Sequence, residues 1–103
     1  MRKIIFTEYF KKKYKKLIKN NTKLGNKIDL SLSNLITDPL FPGLKSHKVN
    51  SRHFDNVFSS SVTGDIRIIW KYGESEEAKN EKMEIQILEL LDIGGHGGKT
   101  GVY

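Results

Sequence analysis

Apolar residues recur along this chain in two rhythms, one of period two and one near 3.6, and each change of rhythm marks an element. Arg2–Phe6 is short, β-branched and aromatic, and predicts a first strand. Thr7 is placed to cap a helix. From there Phe10, Tyr14, Leu17 and Ile18 fall at helical spacing, with lysines over the other faces. Asn20-Asn21 breaks that helix, and Thr22 is expected to cap a second. Its stripe of Leu24, Ile28, Leu32, Leu35 and Ile36 ends before Asp38-Pro39. Two amphipathic helices on a tight link predict a hairpin that must bury its stripe on another element.

Residues 40–52 are irregular, with a turn at Pro42-Gly43 and a short strand expected at Lys48-Val49. Residues 56–62 and 65–72 predict two strands about a turn at Thr63-Gly64. In the second, Ile66, Ile68, Trp70 and Tyr72 share one face, while Asp65, Arg67, Ile69 and Lys71 share the other. Apolar residues on both faces predict a central strand, with Trp70 and Tyr72 in the core. Residues 73–82 are acidic and predict a loop. Met83, Ile85 and Ile87 alternate as a last strand, and residues 88–91 shift phase, as at a bulge. The order β-α-α-β-β-β gives an α+β fold, one domain over residues 1–103. A mostly antiparallel sheet carries the N-terminal helical hairpin on one face and leaves the opposite face free for a ligand.

Composition narrows the class. Hydrophobic residues make up 37% and charged residues 29%, which fits a modest core under a well-solvated surface. Without cysteine, neither disulfides nor thiolate zinc ligands contribute. Three histidines lacking suitably spaced carboxylates argue against a metal site, and no cofactor is expected. No apolar run approaches the roughly 18 residues of a membrane span, so a cytoplasmic protein away from the membrane is expected. The net charge is +6, unevenly shared: residues 1–52 carry +10 and residues 53–103 carry −4. The first half is suited to phosphates or to an acidic protein partner, although a lysine-rich solvated helix would give the same count.

Two stretches carry a family resemblance. Thr63-Gly64-Asp65-Ile66-Arg67-Ile68-Ile69-Trp70-Lys71-Tyr72 resembles the central strand of the RelE/ParE toxin superfamily. Asp92-Ile93-Gly94-Gly95-His96 leading to Val102-Tyr103 is similar to that family's terminal strand, glycine-histidine turn and closing aromatic. With the basic first helix and the order of elements, the likeness runs over essentially the whole chain and is greatest to the YafQ-like, ribosome-associated branch. The resemblance implies a RelE-like fold and a toxin held inactive by a cognate antitoxin, with operator DNA bound only through that antitoxin. Freed, such a toxin enters the ribosomal A site and cuts messenger RNA. The ribose 2′-OH attacks the adjacent phosphate and a 5′-OH leaves, a metal-independent reaction needing a base, a cation for the developing charge and an acid. Two other outcomes stay open: a ParE-like toxin that inhibits gyrase without cutting RNA, and a catalytically silent homologue acting only with its antitoxin as a repressor.

On this resemblance His96, set among four glycines, is the expected general acid, against the plainer alternative of an exposed loop histidine. Arg67 matches the phosphate-binding arginine; its ordinary role would be a salt bridge to Asp65 or another acid. Asp65 matches an acid of the YafQ-like members, as base or as the group that orients a histidine, though aspartate is also common in turns. His47, in Leu44-Lys45-Ser46-His47, is similar to a further histidine of the same members, while His53 has no counterpart and is read as surface. Tyr103 matches the closing aromatic, whose ring would stack on an RNA base for about 1–3 kcal/mol. Lys11, Lys12, Lys13, Lys15, Lys16 and Lys19 would form a ribosomal RNA footprint. The lysines and second histidine that relatives carry near Ser59-Ser60-Ser61 have no equivalent here.

Overall fold

The computed structural model describes residues 2–74, 76–77, 84–95 and 101–103. Chain order is β1 (Arg2–Phe6), α1 (Glu8–Ile18), α2 (Thr22–Thr37), a 3-10 turn (Pro42–Leu44), β2 (His47–Val49), β3 (Val57–Ser61), β4 (Arg67–Tyr72), β5 (Glu76–Glu77) and β6 (Glu84–Gly94). The strands lie side by side as β1-β6-β4-β3-β2, with β5 pairing the start of β6. Only β1 runs parallel to its neighbour; the other pairings are antiparallel. The α+β architecture read from the sequence is therefore the one observed. The acidic stretch after Tyr72 departs from it by contributing β5.

Local chemistry accounts for the helix starts. Thr7 Oγ1 accepts from the Phe10 amide at 3.3 Å, and the same hydroxyl donates to the Leu90 carbonyl at 2.6 Å, so the cap also ties α1 to β6. The second cap is Asn21, not Thr22: its Oδ1 accepts from the Leu24 amide at 3.2 Å, and Thr22 is already the first helical residue. Asn21→Ala should accordingly cost about 1 kcal/mol of stability, and Thr22→Ala clearly less, read from urea unfolding midpoints.

The main core lies between the hairpin and one face of the sheet. Phe10, Ile28, Leu35 and Leu44 meet Ile68, Trp70, Leu88, Leu90 and Ile93 there. Trp70 is fully buried, stacks on Phe58 at 4.7 Å, and donates from Nε1 to Ser60 Oγ at 2.8 Å. Tyr72, expected beside it in the core, stays 39% exposed at the strand's far end.

The opposite face is not left free. Ile69 points there with Val57, Leu91 and Val102 into a second, smaller core edged by Val49, Phe54 and Tyr103. Leu91 reaches it through the expected bulge: Leu90 pairs with Trp70 and Asp92 with Ile69, so Leu91 is the extra residue. Val102 and Tyr103 close part of this face and leave its Arg67 end for the polar residues below. Among the described residues no helix is long and apolar enough to cross a membrane.

Candidate functional site

Cross-strand register builds the polar end of the second face. His47 pairs with Ser59 and Ser59 with Ile69, while one step along Ser61 pairs with Arg67 and Arg67 with Gly94. Paired residues project to the same side, so His47, Ser59 and Arg67 share a face. His47 and Arg67 stand diagonally across β3, about 12 Å apart between Cα atoms from strand spacing and rise. Tyr103 lies over this grid. Its hydroxyl donates to Ser59 Oγ at 2.6 Å, on a serine that is fully buried. The Arg52 amide donates to the Val102 carbonyl at 2.6 Å and Arg52 Nε to the Tyr103 carbonyl at 3.2 Å. Val102 N donates to the Gly95 carbonyl at 2.9 Å. The terminal aromatic is thus pinned at both hydroxyl and backbone.

Arg67 is half-buried, and its Nε is shielded from solvent with no hydrogen-bond partner among the described residues. No salt bridge to Asp65 occupies it there, although Asp65 sits two residues earlier in the turn. That turn is shaped by Thr63, whose hydroxyl accepts from the amides of Asp65 and Ile66 at 3.2 and 3.0 Å. The Asp65 carboxylate abuts Gly95: a Cβ there would lie 3.0 Å from Oδ2. A side chain at position 95 would require the Asp65 carboxylate to shift by a few tenths of an ångström. The acid is held beside the residue that precedes His96. His96 itself lies outside the described residues.

His47 is exposed, with Nδ1 2.9 Å from the Lys45 carbonyl oxygen. An imidazole bonded to a carbonyl through Nδ1 must carry its proton on that nitrogen, which leaves Nε2 with the lone pair in the neutral ring. The ring is set up to accept a proton. Lys45, in the left-handed conformation at φ 50°, turns the chain into position for that contact.

The lysine stripe divides. Lys11, Lys12, Lys15 and Lys16 are exposed on α1 and Lys19 at its C-cap, and Lys11 is 3.3 Å from Glu8. Lys13 does not belong with them. Its side chain is 11% exposed, and Nζ lies 2.6 Å from Oδ1 of the fully buried Asp92. Asp92 also accepts from the Ile93 amide at 2.8 Å, while its Oδ2 has no partner among the described residues. Lys13 therefore leaves the proposed RNA footprint. A signal was present: Phe10, Lys13, Tyr14 and Leu17 are spaced 0, 3, 4 and 7, which puts Lys13 on the apolar stripe. Asp92 and Ser59, to which the sequence assigned no individual role, are polar residues within otherwise apolar or serine-rich strands.

Next to this pair Tyr9 keeps 41% exposure, 5.6 Å from Lys13 Nζ. Burial pushes its hydroxyl above the ordinary tyrosine value; the Asp92 charge adds to this and Arg52 opposes it. Tyr9 is therefore neutral at physiological pH.

No protein-family model matches the sequence, and no curated protein matches it either. Solved structures do resemble it. A YoeB/ParE toxin from Agrobacterium tumefaciens superposes with a TM-score of 0.69 at 17% identity, covering 92% of this chain and 99% of that one. YafQ from E. coli strain BL21(DE3) gives 0.63 at 23% identity, covering 92% and 93%. A chain of the E. coli DinJ-YafQ complex gives 0.64 at 23% identity, over 93% and 94%. This chain therefore has the RelE/YafQ-like fold that these toxins share.

Proposed function

We propose that this chain is the toxin of a toxin–antitoxin pair and that, freed from its antitoxin, it cuts messenger RNA on the ribosome in the cytoplasm. The observation that carries this reading is Arg67: a guanidinium at the head of a central strand, its Nε shielded and unpaired among the described residues. A buried donor left unmatched costs about 1–3 kcal/mol, and a phosphate oxygen would satisfy it.

Around it the groups divide the work. His47 Nε2 removes the proton of the ribose 2′-OH, whose oxygen bonds to phosphorus. Arg67 stabilises the charge gathering on the phosphate oxygens. The P–O5′ bond breaks, His96 gives its proton to the departing 5′ oxygen, and a 2′,3′-cyclic phosphate remains on the other fragment. Asp65, against Gly95, orients His96. Tyr103, held at Ser59, offers its ring to a base. The exposed lysines of α1 hold ribosomal RNA through phosphate contacts. The proposed antitoxin rests on the neighbouring DinJ-YafQ complex, a toxin bound to its antitoxin.

Expression in bacteria without a partner, with mapping of messenger 5′ ends, tests the reading. The expected result is growth arrest with new in-frame cuts, both lost in His96→Ala. Arrest without cuts would move the assignment to a gyrase-directed toxin, and absence of arrest to a silent homologue.

A further inference from the structure

The nuclease reading leaves one cluster unused, where the start of α1 meets the segment between β2 and β3. Tyr9 and the exposed His53 meet edge to face at 5.8 Å, and Phe54 backs Tyr9 at 6.3 Å. Lys13 Nζ lies 5.6 Å from the Tyr9 ring centre, with its charge already matched by the buried Asp92. Arg52, exposed and adjacent in sequence, bonds to the main chain of Val102 and Tyr103. Through Arg52, the Tyr9–His53 pair is joined to the residue whose ring lies over Ser59 and beside the His47–Arg67 grid.

Two exposed aromatic rings bordered by the exposed Arg52 and contiguous with the Arg67 face are the elements of a single-strand nucleic-acid platform: ring surface for a base, positive charge for its phosphate. The neutral Tyr9 hydroxyl adds no repulsion. Of the acids flanking this cluster, Asp92 is fully buried against Lys13, Glu8 is paired with Lys11, and Asp55, next to Phe54, is exposed.

We infer that Tyr9 and His53, with Arg52, form a second nucleotide subsite that stacks a base of the same RNA strand flanking the one held at Tyr103. The inference rests on the RNA-cutting reading for its substrate. The subsite lengthens the footprint of the site and selects single-stranded RNA, since a base must be unstacked from its neighbours to reach Tyr9.

The test is binding of a 2′-O-methyl hexanucleotide, which lacks the attacking hydroxyl and is not cut. Tyr9→Ala should weaken its binding about tenfold, and Tyr9→Phe should bind as the wild type does. His53→Ala, an exposed change that leaves the core intact, should weaken it about threefold. Hexanucleotides made abasic at one position at a time separate stacking from general loss of shape. At one position the abasic probe should bind the wild type about tenfold more weakly, and Tyr9→Ala should then add nothing. Wild-type affinity in Tyr9→Ala, or a Tyr9→Ala loss that simply multiplies with the abasic loss at every position, would overturn the inference while leaving the nuclease standing. Binding with the expected pattern by a chain that never cuts RNA would remove the nuclease and keep the subsite. No binding by the wild type would overturn the subsite.

Discussion

Lys13→Ala should cost about 3–5 kcal/mol of stability, the usual loss when one partner of a buried ion pair is removed. The reason lies in what remains. Asp92 is fully buried, its Oδ2 already has no partner among the described residues, and without Lys13 its carboxylate keeps only the Ile93 amide. A small domain holds roughly 5–15 kcal/mol in all, so this is a large share of it, and Tm should fall by more than about 10 °C. Lys12→Ala, one residue away on the exposed side of α1, should stay within about 0.5 kcal/mol. Replacing both charges, as in Lys13→Met with Asp92→Leu, should recover most of the loss, because the burden is the uncompensated charge and not the missing volume. Thermal and urea unfolding of these variants decides the matter. A neutral Lys13→Ala would mean that the 2.6 Å contact contributes nothing to stability. The consequence for testing the proposed function is practical: an effect of a Lys13 variant would report a loosened fold, whereas variants of the exposed Lys11, Lys12, Lys15, Lys16 and Lys19 would test the proposed RNA contact.

The contrast between Lys13 and its neighbours shows what the sequence can carry. Periodicity placed both helices and, with the Thr63-Gly64 turn, β4, because burial on one face recurs with the period of the element, while β-branched and aromatic composition placed β1. Ile69 among the outward positions of β4 already implied apolar cover on the second face. What supplies that cover is Val102 with Leu91, and only the β-bulge and the fold of the chain bring them together. Lys13 could have been set apart by its helical spacing, but its partner could not: Asp92 is 79 positions away and meets it through tertiary packing. The caps differ for a subtler reason. Asn21 and Thr22 are both good N-caps, and propensity does not choose between neighbours. For the site, family likeness pointed to Arg67, Asp65, His47 and Tyr103. The sequence could not show that Tyr103 is anchored on Ser59, nor that the Asp65 carboxylate packs against Gly95.

Arg67→Ala should slow cleavage by about 10²- to 10³-fold, the range lost when one preorganised donor to a developing oxyanion is removed. Its effect on stability should be small by comparison, since Nε makes no hydrogen bond within the described fold and so leaves no broken pair behind. Separation of the two readouts is the informative feature: a residue kept for architecture would lose stability first. Arg67→Lys should recover only part of the rate, because an ammonium restores the charge but not the two parallel N–H bonds that fit a phosphate. A guanidinium does not titrate in the working range, so Arg67→Ala should lower the rate at every pH and leave the shape of the profile unchanged. His47→Gln and His96→Gln should each slow the proposed cleavage as well, since each takes away a group that gains or gives up a proton in it. Single-turnover cleavage of ribosome-bound messenger across pH, with unfolding measured on the same preparations, distinguishes these cases. If Arg67→Ala cut RNA at the wild-type rate, the phosphate would have to be held elsewhere on this face, and the unpaired Nε would lose its meaning as a binding group.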